Sequence, residues 1–218
     1  MNASEMKRDI KDRLEVYFIA GTQDTDDLPI ILEQAIEAGI TCFQYREKGP
    51  GSLENHPLKM EEMAIRCQSI CKKHAIPFII NDNVALAGKV QADGVHVGQG
   101  DQSIESVRGH VGPDAIVGLS TNTLDQYKEA MTMTGIDYVG IGPAFVPQSK
   151  ADHEQVMGLE KMKQAMDFSK AVPAVAIGGI TESNAQAVWQ TGVDGLAVIS
   201  TITRSAQIKE TVAALKKR

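Results

Sequence analysis

The sequence predicts a single-domain (β/α)8 TIM barrel, and three observations support that prediction. Short apolar runs alternate with amphipathic runs along the whole chain, eight of each. None of the apolar runs has the polar pattern of an open-sheet edge. A phrase also recurs at the helix-to-strand joints, EAGITCF, VQADGVHV, TGIDYVGI and TGVDGLAV, where a helix end and a tight turn feed a strand. Uninterrupted alternation over 218 residues favours one closed barrel. A doubly wound open sheet is the alternative, further weakened because no glycine-rich dinucleotide fingerprint follows the first strand.

Taken in order, residues 1–14 read as a polar N-terminal leader. Val16 to Ala20 is the first strand. Asp26 and Asp27 precede a helix from Leu28 to Ala38, closed by Gly39. Ile40 to Tyr45 is the second strand, followed by a turn-rich loop, GPGSLENHP, and a helix from Leu58 to His74. Phe78-Ile79-Ile80 and Gly94 to Val97 are strands three and four, joined by a helix from Val84 to Val90. That crossover makes the two strands parallel neighbours. Ile104 to Val111 is helical, Ala115 to Leu119 is strand five, and Leu124 to Met133 is helical again. Asp137 to Gly142 is strand six. The stretch 143–158 is long for a structureless loop and reads as an active-site lid. Leu159 to Phe168 is a helix, Ala174 to Ile177 strand seven, and a helix around Trp189 leads to strand eight at Leu196 to Ile199. Gln207 to Lys217 closes the chain.

Composition narrows the partners. With 43% hydrophobic and 23% charged residues this is an ordinary globular composition. A net charge of −6 argues against non-specific binding to nucleic acid or membrane. No apolar run approaches a membrane span, and the N-terminus lacks the apolar core of a signal peptide, so a cytoplasmic location is expected. Of the three cysteines, Cys67 and Cys71 share a helix face with His74. Met60, Met63, Ala64 and Ile70 lie on that same face, so the sulfurs read as core-facing hydrophobes rather than zinc ligands.

In a parallel barrel the C-terminal strand ends face one bowl, where ligands bind. Two strands end there in an amide and a carboxylate, Asn81-Asp82 and Gly98-Gln99-Gly100-Asp101. Two carboxylates with neutral amides beside them suit a hard divalent cation, with Mg2+ bound alongside a phosphate the leading candidate. The alternative is that Asp82 and Asp101 cap the helices that follow. Gln44, Arg46 and Lys48 alternate at the end of strand two and so share one side. Lys150 on the lid adds a third cation, while Ser120 and Asn122 end strand five. This inventory suits a diphosphate held by Mg2+, Arg and Lys. Gly178-Gly179 after strand seven and Ser200 after strand eight lie where many barrels hold a phosphate through backbone N–H groups. A tight turn alone is the other reading of the two glycines. His96 in strand four reads as a satisfied core histidine before it reads as a general base. No strand lysine or nucleophile motif is present, so the diphosphate is expected to be a leaving group.

The segments FQYREK, IINDNVALA, ADGVHVGQGD, VGLSTNT, DYVGIGPAF, VAIGGI and VISTI together resemble the thiamine phosphate synthase family across nearly the whole chain. That resemblance implies a transferase that joins an aminopyrimidine methyl diphosphate to a thiazole phosphate and releases pyrophosphate with Mg2+. It implies that Asp82 and Asp101 bind the metal. Arg46, Lys48, Asn81, Ser120 and Lys150 would hold the diphosphate, with Gln44 touching the pyrimidine. The backbone around Gly179, Ile199 and Ser200 would take the thiazole phosphate. The lid departs from the family's usual P-T-x-T-K: in Val146-Pro147-Gln148-Ser149-Lys150, Pro147 replaces the first hydroxyl and Ser149 stands in for the second. The sister thiazole tautomerases rely on a histidine where this chain has Asn122, which cannot exchange a proton at neutral pH. A non-catalytic sensor of thiamine precursors is the reading from another class, and it would need no metal carboxylates. Homo-oligomers are common for such barrels, but no patch in the sequence identifies an interface.

Overall fold

Runs of β-branched and aromatic residues buried on both faces form parallel strands readily. In the computed structural model, which describes residues 3–146 and 156–217, these runs close on themselves in chain order. The strands are β1 (Val16–Ala20), β2 (Cys42–Tyr45), β3 (Phe78–Asn81), β4 (Gly94–Val97), β5 (Ile116–Thr121), β6 (Tyr138–Ile141), β7 (Ala174–Ile177) and β8 (Gly195–Val198). Every neighbouring pair is parallel, and β1 completes the circuit by pairing with β8 through Tyr17 opposite Ala197. The (β/α)8 barrel therefore stands, and the open sheet does not.

The helices are α1 (Ala3–Arg8), α2 (Leu28–Ala38), α3 (Pro57–Lys73), α4 (Val84–Val90), α5 (Ile104–Val111), α6 (Leu124–Ala130), α7 (Gly158–Phe168), α8 (Ala185–Trp189), α9 (Ser200–Thr203) and α10 (Ile208–Leu215). Their apolar faces cover the outward side chains of the strands, such as Phe18, Phe43, Val95, Val117 and Leu196. Cys67 and Cys71 of α3 are in that layer, where burial raises both thiols, Cys67 to about 12. His74, at the end of α3, is exposed. Among the described residues no helix is long and apolar enough to cross a membrane.

A separate cluster fills the barrel interior, formed by alternate strand residues including Tyr17, Ile19, Cys42, Ile79, Ile116, Tyr138, Val175 and Ala197. Met6, Ile10 and Leu14 belong to it too. The polar leader is thus corrected. Residues 3–14 form α1 and a 3-10 turn (Ile10–Arg13), and their three-residue apolar stripe plugs the N-terminal mouth of the barrel. Gly195 at the start of β8 lets this plug approach, since a Cβ there would lie 1.8 Å from the Leu14 carbonyl oxygen.

The recurring joint phrase has a physical role at the same mouth. Asp93, Asp137 and Asp194 precede β4, β6 and β8. They accept from Phe78 N at 2.9 Å, Val117 N at 2.8 Å and Ala174 N at 3.0 Å, each on the preceding strand. In the first copy Thr41 takes that place, its hydroxyl accepting from Val16 N at 3.0 Å. Each phrase therefore ties an odd strand to the next even one, which fixes register at the end away from the bowl.

Candidate active site

At the end of β2, Gln44 is buried in the interior and Arg46 and Lys48 follow at alternate positions. Glu47 between them turns the other way. Its carboxylate accepts from Thr22 N and Thr22 Oγ1, both at 2.8 Å, and from Leu53 N at 2.7 Å. That ties the loops after β1 and β2 together and leaves the two cations on the bowl side. Arg46 also faces Asp24. Burial raises the Asp24 carboxyl above its ordinary range, while the Gly21 N–H and the Arg46 charge oppose the rise.

The two carboxylates are not helix caps. Asn83, not Asp82, caps α4, accepting from Leu86 N at 2.9 Å. Ser103, not Asp101, caps α5, accepting from Ser106 N at 3.3 Å. Asp82 instead adopts φ +57°, in the left-handed region, with its N–H held by the His96 carbonyl at 2.8 Å. Its Oδ2 accepts from Lys48 Nζ at 2.8 Å. The Lys48 side chain is 56% exposed and that of Asp82 31%, so this pair contributes little stability and exchanges readily for other partners. Asp101 is exposed and uses Oδ2 to accept from Gly98 N at 2.7 Å, closing the turn after β4. Asn81 stands beside Asp82, half-buried at the end of β3.

The donor set fits Mg2+. That ion keeps several waters and takes one or two carboxylates plus phosphate oxygens rather than a full protein cage. Among the described residues no three His, Cys, Asp or Glu side chains gather around one point, so those residues offer no protein-only cage.

Behind the carboxylates lies a buried polar line. His96 Nε2 is 2.9 Å from Ser120 Oγ, and His96 Nδ1 is 2.9 Å from the Tyr138 hydroxyl. Tyr138 OH is 2.6 Å from Tyr17 OH, to which Gln44 Nε2 donates at 2.9 Å. His96 is thus the satisfied core histidine, and burial lowers its pKa to about 4, opposed by the Asp82 charge. Ser120 is further held by Gln99 Nε2, which donates to its carbonyl at 2.8 Å. Sequence reasoning missed Tyr17 and Tyr138. Both occupy inward positions of apolar strands, and their spacing there matches that of ordinary core bulk. Asn122 is exposed beyond β5.

On the far side of the bowl, Gly178 and Gly179 take φ +100° and +64°. A Cβ on them would lie 2.5 Å from Pro143 Cβ and 2.8 Å from Phe145 Cβ respectively. The glycines therefore let the chain after β6 cross close over β7, where Ala144 N donates to Ile177 O at 2.8 Å. Both ends of the expected lid meet at Pro143, whose carbonyl accepts from Met157 N at 3.1 Å and Gly158 N at 3.2 Å. Ile199 and Ser200 form the junction between β8 and α9. No described residue accepts from the backbone N–H of Gly179 or Ser200, leaving both available to an anion. Pro147, Ser149 and Lys150, with the rest of 147–155, lie outside the described residues.

The bowl thus gathers cations at β2, two carboxylates at β3 and β4 that cap no helix, a serine anchored at β5, and backbone N–H groups at β7 and β8 that have no acceptor among the described residues. The family model for thiamine monophosphate synthase matches residues 16–202. A thiamine-phosphate synthase from Actinobacillus succinogenes is 48% identical over 211 residues, covering 93% of this chain and 96% of its own. One from Listeria innocua is 46% identical over 205 residues, covering 93% and 95%. Among solved structures, a thiamine phosphate pyrophosphorylase from Pyrococcus furiosus superposes with a TM-score of 0.82 at 30% identity, covering 94% of this chain and 95% of that one.

Proposed function

The chain belongs to the thiamine monophosphate synthase family, and from that premise we propose how its bowl performs the synthase reaction. The substrates are 4-amino-2-methyl-5-(diphosphooxymethyl)pyrimidine and 4-methyl-5-(2-phosphooxyethyl)thiazole. The bond between the pyrimidine methylene carbon and the diphosphate oxygen breaks, and its electron pair leaves with pyrophosphate. The thiazole nitrogen lone pair then forms the new C–N bond, giving thiamine phosphate. The aminopyrimidine ring stabilises the intervening cation, so no protein base is required.

The observation that supports this reading most strongly is that Asp82 and Asp101 lie at the bowl without capping the helices beside them. Together with diphosphate oxygens they would hold Mg2+, which when bound neutralises charge on the leaving group. Arg46, Lys48 and Lys150 add fixed positive charge where negative charge develops. Asn81 and Ser120 donate neutral hydrogen bonds to the diphosphate, and Ser149 is assigned to the same substrate from the family resemblance alone. Gln44 faces the pyrimidine. The N–H groups around Gly178, Gly179, Ile199 and Ser200 receive the thiazole phosphate. A cytoplasmic site of action and a homo-oligomeric state complete the proposal.

Pyrophosphate release tests it. With both substrates and Mg2+ the wild type is expected to turn over, and chelation of the metal abolishes release. Asp101→Ala is expected to lose about 100-fold or more in kcat, the usual effect of deleting a group that stabilises transition-state charge. A folded Asp101→Ala protein with wild-type turnover and metal response would refute the assignment of the carboxylates.

A further inference from the structure

The buried line from Gln44 to Ser120 has a direction. An amide NH2 can only donate, so Gln44 Nε2 donates into the Tyr17 oxygen. Either hydroxyl can donate across the 2.6 Å between Tyr17 and Tyr138, and donation from Tyr17 to the Tyr138 oxygen continues the direction that Gln44 begins. In that arrangement the Tyr138 hydrogen is left for His96 Nδ1 at 2.9 Å. With Nδ1 accepting, a neutral imidazole carries its proton on Nε2, which faces Ser120 Oγ at 2.9 Å. We propose that Tyr138 is a positioning residue: through the line Gln44, Tyr17, Tyr138, His96 it fixes the Nε2–H tautomer, so that Ser120 accepts from His96 and turns its own hydroxyl hydrogen toward the departing diphosphate.

Steric provision for the line supports the proposal independently. At Gly118, a Cβ would come 2.2 Å from Tyr138 Cζ and 2.3 Å from His96 Nδ1, the two groups whose hydrogen bond forms the middle of the line. Gly140 leaves similar room beside the imidazole, 3.2 Å from Cε1. Two inward glycines in adjacent strands thus clear the space in which tyrosine and histidine meet. Burying four polar side chains inside a barrel is costly unless each is satisfied, and a fully satisfied chain fixes one arrangement. Without the Tyr138 donor, the imidazole is free to place its proton on Nδ1. Nε2 would then accept from Ser120, and the serine hydrogen would point into the barrel instead of the bowl.

The proposal rests on the synthase reading above, and two measurements test it. The first reads the His96 ring nitrogens by 15N NMR in the protein without substrates. A protonated Nε2 is expected, and a protonated Nδ1 would overturn the proposal. The second is kinetic, using Tyr138→Phe, Ser120→Ala and the double variant. Tyr138→Phe is expected to lower kcat about tenfold, the scale of one hydrogen bond, with KM within about twofold, in a protein that stays folded but has a lower unfolding midpoint because Tyr17 and His96 each lose a buried partner. In the Ser120→Ala background the same change should cost nothing further, because its effect passes through the serine. His96→Gln, which keeps a donor at the Nε2 position, should retain more activity than His96→Leu. An active wild type with an unaffected Tyr138→Phe, or with equal losses in both backgrounds, overturns the relay alone. A wild type that releases no pyrophosphate overturns the synthase reading and this proposal with it.

Discussion

Asp82 and Asn83 are neighbours with separate duties. Asn83 caps α4 and supports the fold, while Asp82 sits in a left-handed conformation that aspartate and asparagine tolerate better than most residues. Substitution should separate the two roles. Asn83→Ala is expected to cost about 1 kcal/mol of stability, the usual value of an N-cap, with turnover nearly intact. Asp82→Asn keeps the shape and the backbone preference but loses the charge. It should unfold within about 1 kcal/mol of the wild type, since the exposed Lys48 pair contributes little, yet lose most turnover. Urea denaturation beside steady-state kinetics checks both, and the reverse pattern would contradict the assignment. The carboxylates were legible in the sequence because each follows an apolar strand abruptly. Their freedom from capping was not, because only the structure shows that Asn83 and Ser103 take those positions. The tyrosines of the buried line were illegible for a different reason. Inside an apolar strand a phenol reads as bulk until its hydroxyl is seen to have partners.

Elements were readable where a terminator was strong and local. α4, α5, β4 and β7 match the bounds that the sequence predicts. Strand β5 runs on through Ser120-Thr121, past the apolar run, because the ladder to β6 continues through Ser120 opposite Gly140. The N-terminal plug was missed because Met6, Ile10 and Leu14 are isolated among charged residues, and a stripe of three is a weak periodic signal. Its burial is nonetheless complete at Leu14. Leu14→Ala is therefore expected to destabilise the barrel by about 2–5 kcal/mol, as for other fully buried leucines, while KM for both substrates stays the same. Thermal or urea unfolding measures this, and a variant as stable as the wild type would show that the plug packs loosely.

At the scale of the whole molecule, the barrel separates stability from chemistry. The plug and the four joint phrases, with Thr41, Asp93, Asp137 and Asp194, tie down the N-terminal mouth. The opposite mouth keeps residues with few fixed partners: Arg46, Lys48, Asp82, Asp101 and the N–H groups of Gly179 and Ser200. That division was visible in the sequence as soon as eight alternating units were counted, since a closed barrel sends every strand end to one bowl. On this reading the bowl couples two substrates rather than hydrolysing one. The most direct test incubates the wild type with the aminopyrimidine diphosphate, the thiazole phosphate and Mg2+, and quantifies thiamine phosphate and pyrophosphate together. Equal amounts of the two products are expected, with no pyrophosphate when the thiazole phosphate is omitted. Pyrophosphate released without matching thiamine phosphate, or substrates left unconverted by a folded protein, would contradict it.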